Sequence, residues 1–580
     1  MIINKHRILK VTVLTYLLLA VGMSFSYAQK KNKKASAQAA QLKSGAAVDY
    51  FMDGVRYALT DDNAKAVSAF EQSLRLDPKN AAAHYKLAEI LLQQNQYDQA
   101  VDHARQALAL DKSNEWYYMI LAESQLRSGN ASEAAATVET MLSKTKAPPH
   151  NYLKLAQLYL QQNQVNKALT ALDNAEKALG VDEEVVALKQ RLYLNQNKPE
   201  EALAEGEKLV SNFPHQNIYA LRQAQLLINL DRKAEAQKYL ESYLKKNPED
   251  PEALFLMAKT YEQQEQHNKA GDELLKAFSS PGMAIEPKLQ EAAQLISQLP
   301  NVELEASLLQ LTNAIKEAHP EDSRAYAISG DYLLAVNRKN EARGQYLKAL
   351  EFDESNFEVW QNALTLGMEL GRFDSVAKEA DEALMLFPNQ AALYYFSGAA
   401  NLSLNQYDEA VMALEQGKKL AASNKQLSSI FNSHLGDAYN GLKRYDLSDA
   451  AYEAALAINP NNPYILNNYS YYLALRNDKL QQALEMSKKL VELEPENPNY
   501  LDTHAWVYYQ LKEYDKARNI LEKALKHADD ADGTILEHYG DVLFQLNRKE
   551  EAVQQWKKAK DKNSTSELID KKIQDQKLYE

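Results

Sequence analysis

Small and apolar residues recur along this chain in bursts of about fourteen positions, each with helical rather than alternating spacing. Tyr152, Leu155, Ala156 and Tyr159 form one such burst, and Ala168, Leu172 and Ala175 form the next. Intervals of three and four place each set on one face of a helix, so the pattern predicts amphipathic helices and no strands. A ruler of 34 residues connects the bursts: from a start near Ala47 its marks fall at Ala81, Glu115, Pro149, Glu183, Asn217 and Pro251 without an insertion. Each period then holds two helices, and neither can bury its stripe alone. Gly or Ala at the eighth place and Ala at the twentieth predict close approach of the pair, with larger residues filling the space around that contact. Pro78, Pro214, Pro248, Pro388 and Pro460 stand where the second helix has to stop. The near-identical hexapeptides NQYDQA (Asn95–Ala100) and NQYDEA (Asn405–Ala410) fall at turns between paired helices.

The ruler slips between Ser279 and Asp322. A degenerate unit is predicted there, beginning near Leu289 and placing Leu308, Thr312 and Ile315 at its packing positions. The pattern resumes with Tyr326, Gly330, Ala342 and Tyr346, and four extra residues intrude around Ala421–Lys425. About 15 units result. The tail from Ser566 reads as a capping helix, with Leu568, Ile569, Ile573 and Leu578 covering the last open apolar face and charged residues facing water.

With an aromatic at the fourth place, Leu and a small residue at the seventh and eighth, and Ala at the twentieth and twenty-seventh, the unit resembles the tetratricopeptide repeat. The resemblance implies an all-α, right-handed superhelical solenoid whose concave face, lined by first helices, holds a peptide or a partner's helix. Its groove positions fall on Phe51, Tyr85, Glu89, Trp116, Glu123, Arg191, Phe255 and Lys259, and on Tyr395, Asp437, Asn467, Tyr471, Asp502 and Trp506 in the later units. Tyr85 and Trp116 either form one exposed aromatic patch or pack on their adjacent helices. The Lys and Asn pair with which one subfamily clamps a C-terminal carboxylate occurs in no unit, so that mode of binding is not expected.

The ends of the chain add a compartment. A basic head with Lys5, Arg7 and Lys10, an apolar run from Val11, and small residues at Ser26 and Ala28 read as a signal peptide cleaved between Ala28 and Gln29. Export to a periplasm is expected, and cleavage takes the formal charge from −13 to −16. So acidic a chain is a poor match for nucleic acid. The basic run Lys30–Lys34 reads as part of a linker over residues 29–46, with attraction to an anionic envelope surface as its alternative. The expected boundaries are then an N-terminal array over 47–282, the degenerate unit or hinge over 283–322, a second array over 323–564 and the cap over 565–580. No cysteine is present, which excludes thiolate chemistry and disulfides. The spacings of phosphate loops, nucleophile elbows and zinc helices are missing as well, so neither catalysis nor a cofactor or metal is expected. Function is expected to be recognition of other proteins as a scaffold or assembly factor; binding of glycan or cell wall through groove aromatics is the alternative.

Overall fold

The structure, a computed structural model, describes residues 34–528, 532–562 and 566–579, with side chains from residue 43 onward. The expected signal peptide, its Ala28–Gln29 cleavage site and Lys30–Asn32 of the basic run lie outside the described residues, as does Lys33. Among the described residues there are 31 helices and no strand. They form fifteen successive pairs and end with the short helix Ile569–Asp575, as the period predicts. The chain divides into two compact bodies, one ending at Ala270 and the other beginning at Gly271.

One backbone device recurs in the turn of every pair except the eighth. One residue takes left-handed backbone, such as Asn95 (φ 61°), Asn405 (φ 59°) or Gly371 (φ 66°), and in the thirteenth pair Lys479 (φ 45°) joins Asn477 (φ 52°). The following N–H then reaches back five residues, as from Gln96 to the Leu91 carbonyl and from Gln406 to that of Asn401, both at 2.8 Å. This closes the first helix in the manner of a Schellman motif. Asn is favoured because it tolerates positive φ, and here its side chain does a second task. Asn95 Oδ1 accepts from the Tyr97 hydroxyl, and Asn405 Oδ1 from that of Tyr407, both at 2.7 Å. The duplicated hexapeptides are thus one turn built twice.

Within a pair, a missing side chain makes room for a ring. A Cβ on Gly54 would lie 2.7 Å from Phe70, on Gly330 2.7 Å from Tyr346, on Gly436 2.7 Å from Tyr452 and on Gly540 2.5 Å from Trp556. Each ring is fully buried. Between pairs, first helices contact the first helix of the next repeat at several steps in both bodies, whereas no two successive second helices among the described residues are in comparable contact. Within each body the first helices therefore line the tighter, inner face.

Three details differ from expectation. The first described helix already covers Lys34 onward, inside the stretch expected as linker, because KASAQAAQ is rich in strong helix formers. The eighth repeat begins at Ile285 rather than near Leu289, since Pro287 sits in the first turn, where a missing N–H costs nothing; Leu308, Thr312 and Ile315 are fully buried on its second helix, Val302–Ala318. The four extra residues near Ala421 form an added turn at the start of helix Lys425–Gly441, capped by Asn424 Oδ1 on the Leu427 N–H at 3.1 Å.

The N-terminal body also buries a charge. Lys189, on helix Glu183–Asn195, is only 2% exposed and meets Asp173 at 2.8 Å, Glu176 at 2.8 Å and Glu205 at 2.7 Å. Lys208 closes the network onto Glu176 and Glu205. Burial opposes the ammonium, but the three carboxylates outweigh it and raise its pKa. Removing that cation leaves the carboxylates half-buried and facing one another. We expect Lys189→Met to destabilise the N-terminal body by about 3 kcal/mol, read as a shift of the denaturant midpoint, with Lys208→Met costing less because it is more exposed.

Candidate functional site

In the N-terminal body the predicted groove residues do not converge. Phe51 is buried against Phe70, with ring centroids 5.7 Å apart, so it is core rather than groove. Tyr85 packs on Tyr117 at 5.4 Å instead of on Trp116. Trp116 is the second residue of helix Glu115–Arg127 and stands 61% exposed past the turn, leaving Tyr117 to meet the preceding repeat. Glu89 is held locally by the Tyr85 hydroxyl at 2.8 Å and by Lys86 at 2.6 Å. Glu123 bridges Arg127 at 3.0 Å and Lys154 of the next repeat at 3.4 Å. Burial would raise its pKa, yet the two cations hold it below the ordinary range. Arg191 is exposed. Lys259 lies 5.9 Å from the centre of the Phe255 ring and pairs with Glu262 at 3.0 Å.

The C-terminal body is different. Its eleventh to fifteenth repeats have first helices Ala391–Ser403, Lys425–Gly441, Pro463–Leu475, Pro498–Gln510 and Gly533–Gln545, and all six predicted residues there fall into one tract. At one end the Tyr395 ring meets His434 edge-on at 5.2 Å, and His434 stacks on Tyr464 at 5.7 Å, so three repeats contribute three successive rings. Tyr464, 43% exposed, donates its hydroxyl to Asp437 Oδ2 at 2.6 Å. Asp437 is buried and also accepts from the Tyr452 hydroxyl at 2.5 Å and from Asn468 Nδ2 at 3.0 Å. Asn467 accepts from the Thr503 hydroxyl at 2.8 Å.

At the other end Asp502 holds His538 Nδ1, with both carboxylate oxygens at 2.9 Å. The imidazole lies flat on Trp506 with centroids 4.1 Å apart and 6.5 Å from the Tyr471 ring. Trp506 is 8% exposed, and its indole N–H finds no acceptor among the described residues. Burial depresses the His538 pKa, but Asp502 first, then Asp541 and Glu537, reverse this and raise it. Burial likewise pushes Tyr471 up to about 12.

Glu537, His538, Asp541 and Lys572 were not among the residues expected from sequence. Lys572 is buried at 2.8 Å from Glu537 and 2.8 Å from Asp541, so the cap seats a cation where only apolar residues were expected to be covered. Ile569 is buried and Ile573 and Leu578 pack against the same core, whereas Leu568 remains 36% exposed. Burial raises the Asp541 carboxyl to about 6 against the pull of Lys572. A usable signal exists for Asp541. Gly-Asp followed fifteen residues later by an aromatic occurs at Asp331 with Tyr346, Asp437 with Tyr452 and Asp541 with Trp556, and in each the ring's O–H or N–H donates to that Asp.

Stacked two-helix repeats whose first helices carry a continuous tract of rings and carboxylates define an α-helical repeat protein. The chain is a tetratricopeptide-repeat protein: models described as tetratricopeptide repeat match residues 60–123, 91–150 and 125–192, then 221–284, then 391–424 and 431–462. Residues 476–559 match a model described as anaphase-promoting complex, cyclosome, subunit 3. A TPR repeat-containing protein of Pseudomonas aeruginosa is 29% identical over 175 residues, which are 30% of this chain and 29% of that one. The chain thus spans under a third of that relative's length. The TPR repeat-containing protein YpiA of Bacillus subtilis is 22% identical over 366 residues, covering 62% of this chain and 83% of its own. Among solved structures, a chain of Naa15/Naa10 bound to HypK-THB is similar with a TM-score of 0.38 and 16% identity, over 92% of this chain and 89% of that one. No described helix is long and apolar enough to cross a membrane.

His538 carries a pH dependence with a definite sign. Its folded pKa lies above the unfolded value of about 6.5, so its stabilisation is complete below that pH and is lost as pH rises through the folded pKa. Thermal melts of the C-terminal body are expected to fall between pH 6 and pH 9, and Asp502→Asn to flatten that slope.

Proposed function

We propose that this chain is an exported, non-enzymatic scaffold that binds segments of other proteins along the inner face of repeats eleven to fifteen. The observation that carries this reading is the ring run Tyr395, His434 and Tyr464, which crosses three repeats and leaves Tyr464 partly in water. Rings at successive repeats offer rigid apolar contact at little entropic cost, the chemistry of interface anchors. Asp437 and Asp502 hold ring and imidazole groups in place from behind, so the surface is pre-ordered before any partner arrives. Tetratricopeptide-repeat proteins generally act through protein–protein contact, which supports the same conclusion. Rings also suit sugars, and the expected envelope location keeps a glycan ligand as the competing reading.

Both parts are open to measurement. A photo-crosslinking residue at Tyr464 in living cells is expected to trap a discrete protein partner, and one at Met385, exposed on a second helix, to trap none. Sedimentation of the purified chain with peptidoglycan, together with no Tyr464 crosslink, would overturn the scaffold reading in favour of cell-wall binding. For export, intact-mass measurement of the chain from its native host is expected to show a mature N-terminus at Gln29; a full-length cytoplasmic mass would refute it.

A further inference from the structure

Lys288 is the one fully buried cation in the eighth and ninth repeats, and it stands apart from Lys189 in what surrounds it. Its ammonium donates to the carbonyls of Phe278 at 2.9 Å and Ser280 at 2.7 Å, the end of the preceding helix, and contacts His319 Nε2 at 2.8 Å. Three donors thus meet three acceptors. His319 sits in the turn after helix Val302–Ala318, and its ring also bonds to the Met283 backbone. Because an ammonium has only protons to offer, Nε2 has to present its lone pair, which selects the neutral imidazole carrying its proton on Nδ1.

Two acidic neighbours are already engaged by Arg324. Asp322, in the same turn as His319, is taken by Arg324 at 2.7 Å, and Glu286, on the helix of Lys288, is taken by Arg324 at 3.0 Å. Among the described residues neither Lys288 nor His319 forms an ion pair with a carboxylate. We infer that Lys288 and His319 form a pH-sensitive latch, closed while His319 is neutral and opened when its protonation sets imidazolium against ammonium. The latch joins the loop after Ser279 to the turn at His319, so opening it releases Met283 and Ile285, both buried when it is closed.

The titration behaviour agrees in direction. Burial first, and Lys288 next, hold His319 below the ordinary imidazole value, against a smaller opposing pull from Asp322. Burial alone brings Lys288 down to about 8. With the folded pKa of His319 below the unfolded one, the contribution of His319 to the closed state is complete above about pH 6.5 and is lost as pH falls beneath it.

Hydrogen exchange of the full chain, corrected for intrinsic rates, tests this. Between pH 7 and pH 5, protection of residues 279–322 is expected to fall by up to about 20-fold, the limit for one imidazole titrating near 6.5 in the open form. Residues 357–386, which contain no histidine, serve as the internal reference. His319→Gln keeps an acceptor at every pH and is expected to abolish the response. Lys288→Met removes the opposing cation and is expected to shrink it at least threefold. Unchanged protection in the wild-type chain, or a full response surviving in either variant, would overturn the latch.

Discussion

The constraint on which this array rests is close approach at the eighth place, carried to its limit in four repeats by a ring lying over an absent Cβ. Where Gly436 meets Tyr452 or Gly540 meets Trp556, the two helices of a repeat come closer than any larger residue at the eighth place allows. The ring then fills the space and buries on the order of 150–250 Å². Everything else follows from that closeness. A tightly paired unit presents its remaining apolar stripe to the next unit, and the first helices, being in mutual contact, form the face on which polar chemistry can be organised.

That face is organised between repeats more than within them. Lys154 reaches Glu123 and Asn468 reaches Asp437 across 31 residues, while Thr503 reaches Asn467 and His538 reaches Asp502 across 36. Adjacent first helices are therefore staggered, so that a side chain looks at a residue slightly before or after its own counterpart. Lys572 obeys the same offset, standing 31 residues from Asp541. The short terminal helix fills the place a further repeat would fill, which explains why it buries a lysine among its charged residues.

The repeat length and the small and aromatic packing places were legible in the sequence because each is an intrachain rule repeated fifteen times. Even the irregular eighth repeat was located, and its start differs by one turn because Pro287 acts as a first-turn residue. The site was legible in part. Tyr395, Asp437, Asn467, Tyr471, Asp502 and Trp506 were found by their places within a repeat, and the structure joins them into one tract. The Tyr85–Trp116 patch failed for the reason His538 and Lys572 were overlooked, since contacts between staggered neighbours cannot be read from places counted inside one unit, whereas Phe51 failed because it packs on Phe70 within its own repeat. Offsets of 31 and 36, once known, turn such pairs into a searchable pattern.

The stagger also gives each repeat an address. Beyond its own repeat Asp437 is completed by Tyr464 and Asn468 of its particular successor, and Asp502 by His538 of its own. A solenoid of interchangeable units could gain or lose one by unequal recombination with little harm. Here an excision between the twelfth and fifteenth repeats would splice together faces whose donors and acceptors no longer correspond, so the inner face fixes the order of its units as firmly as the backbone does.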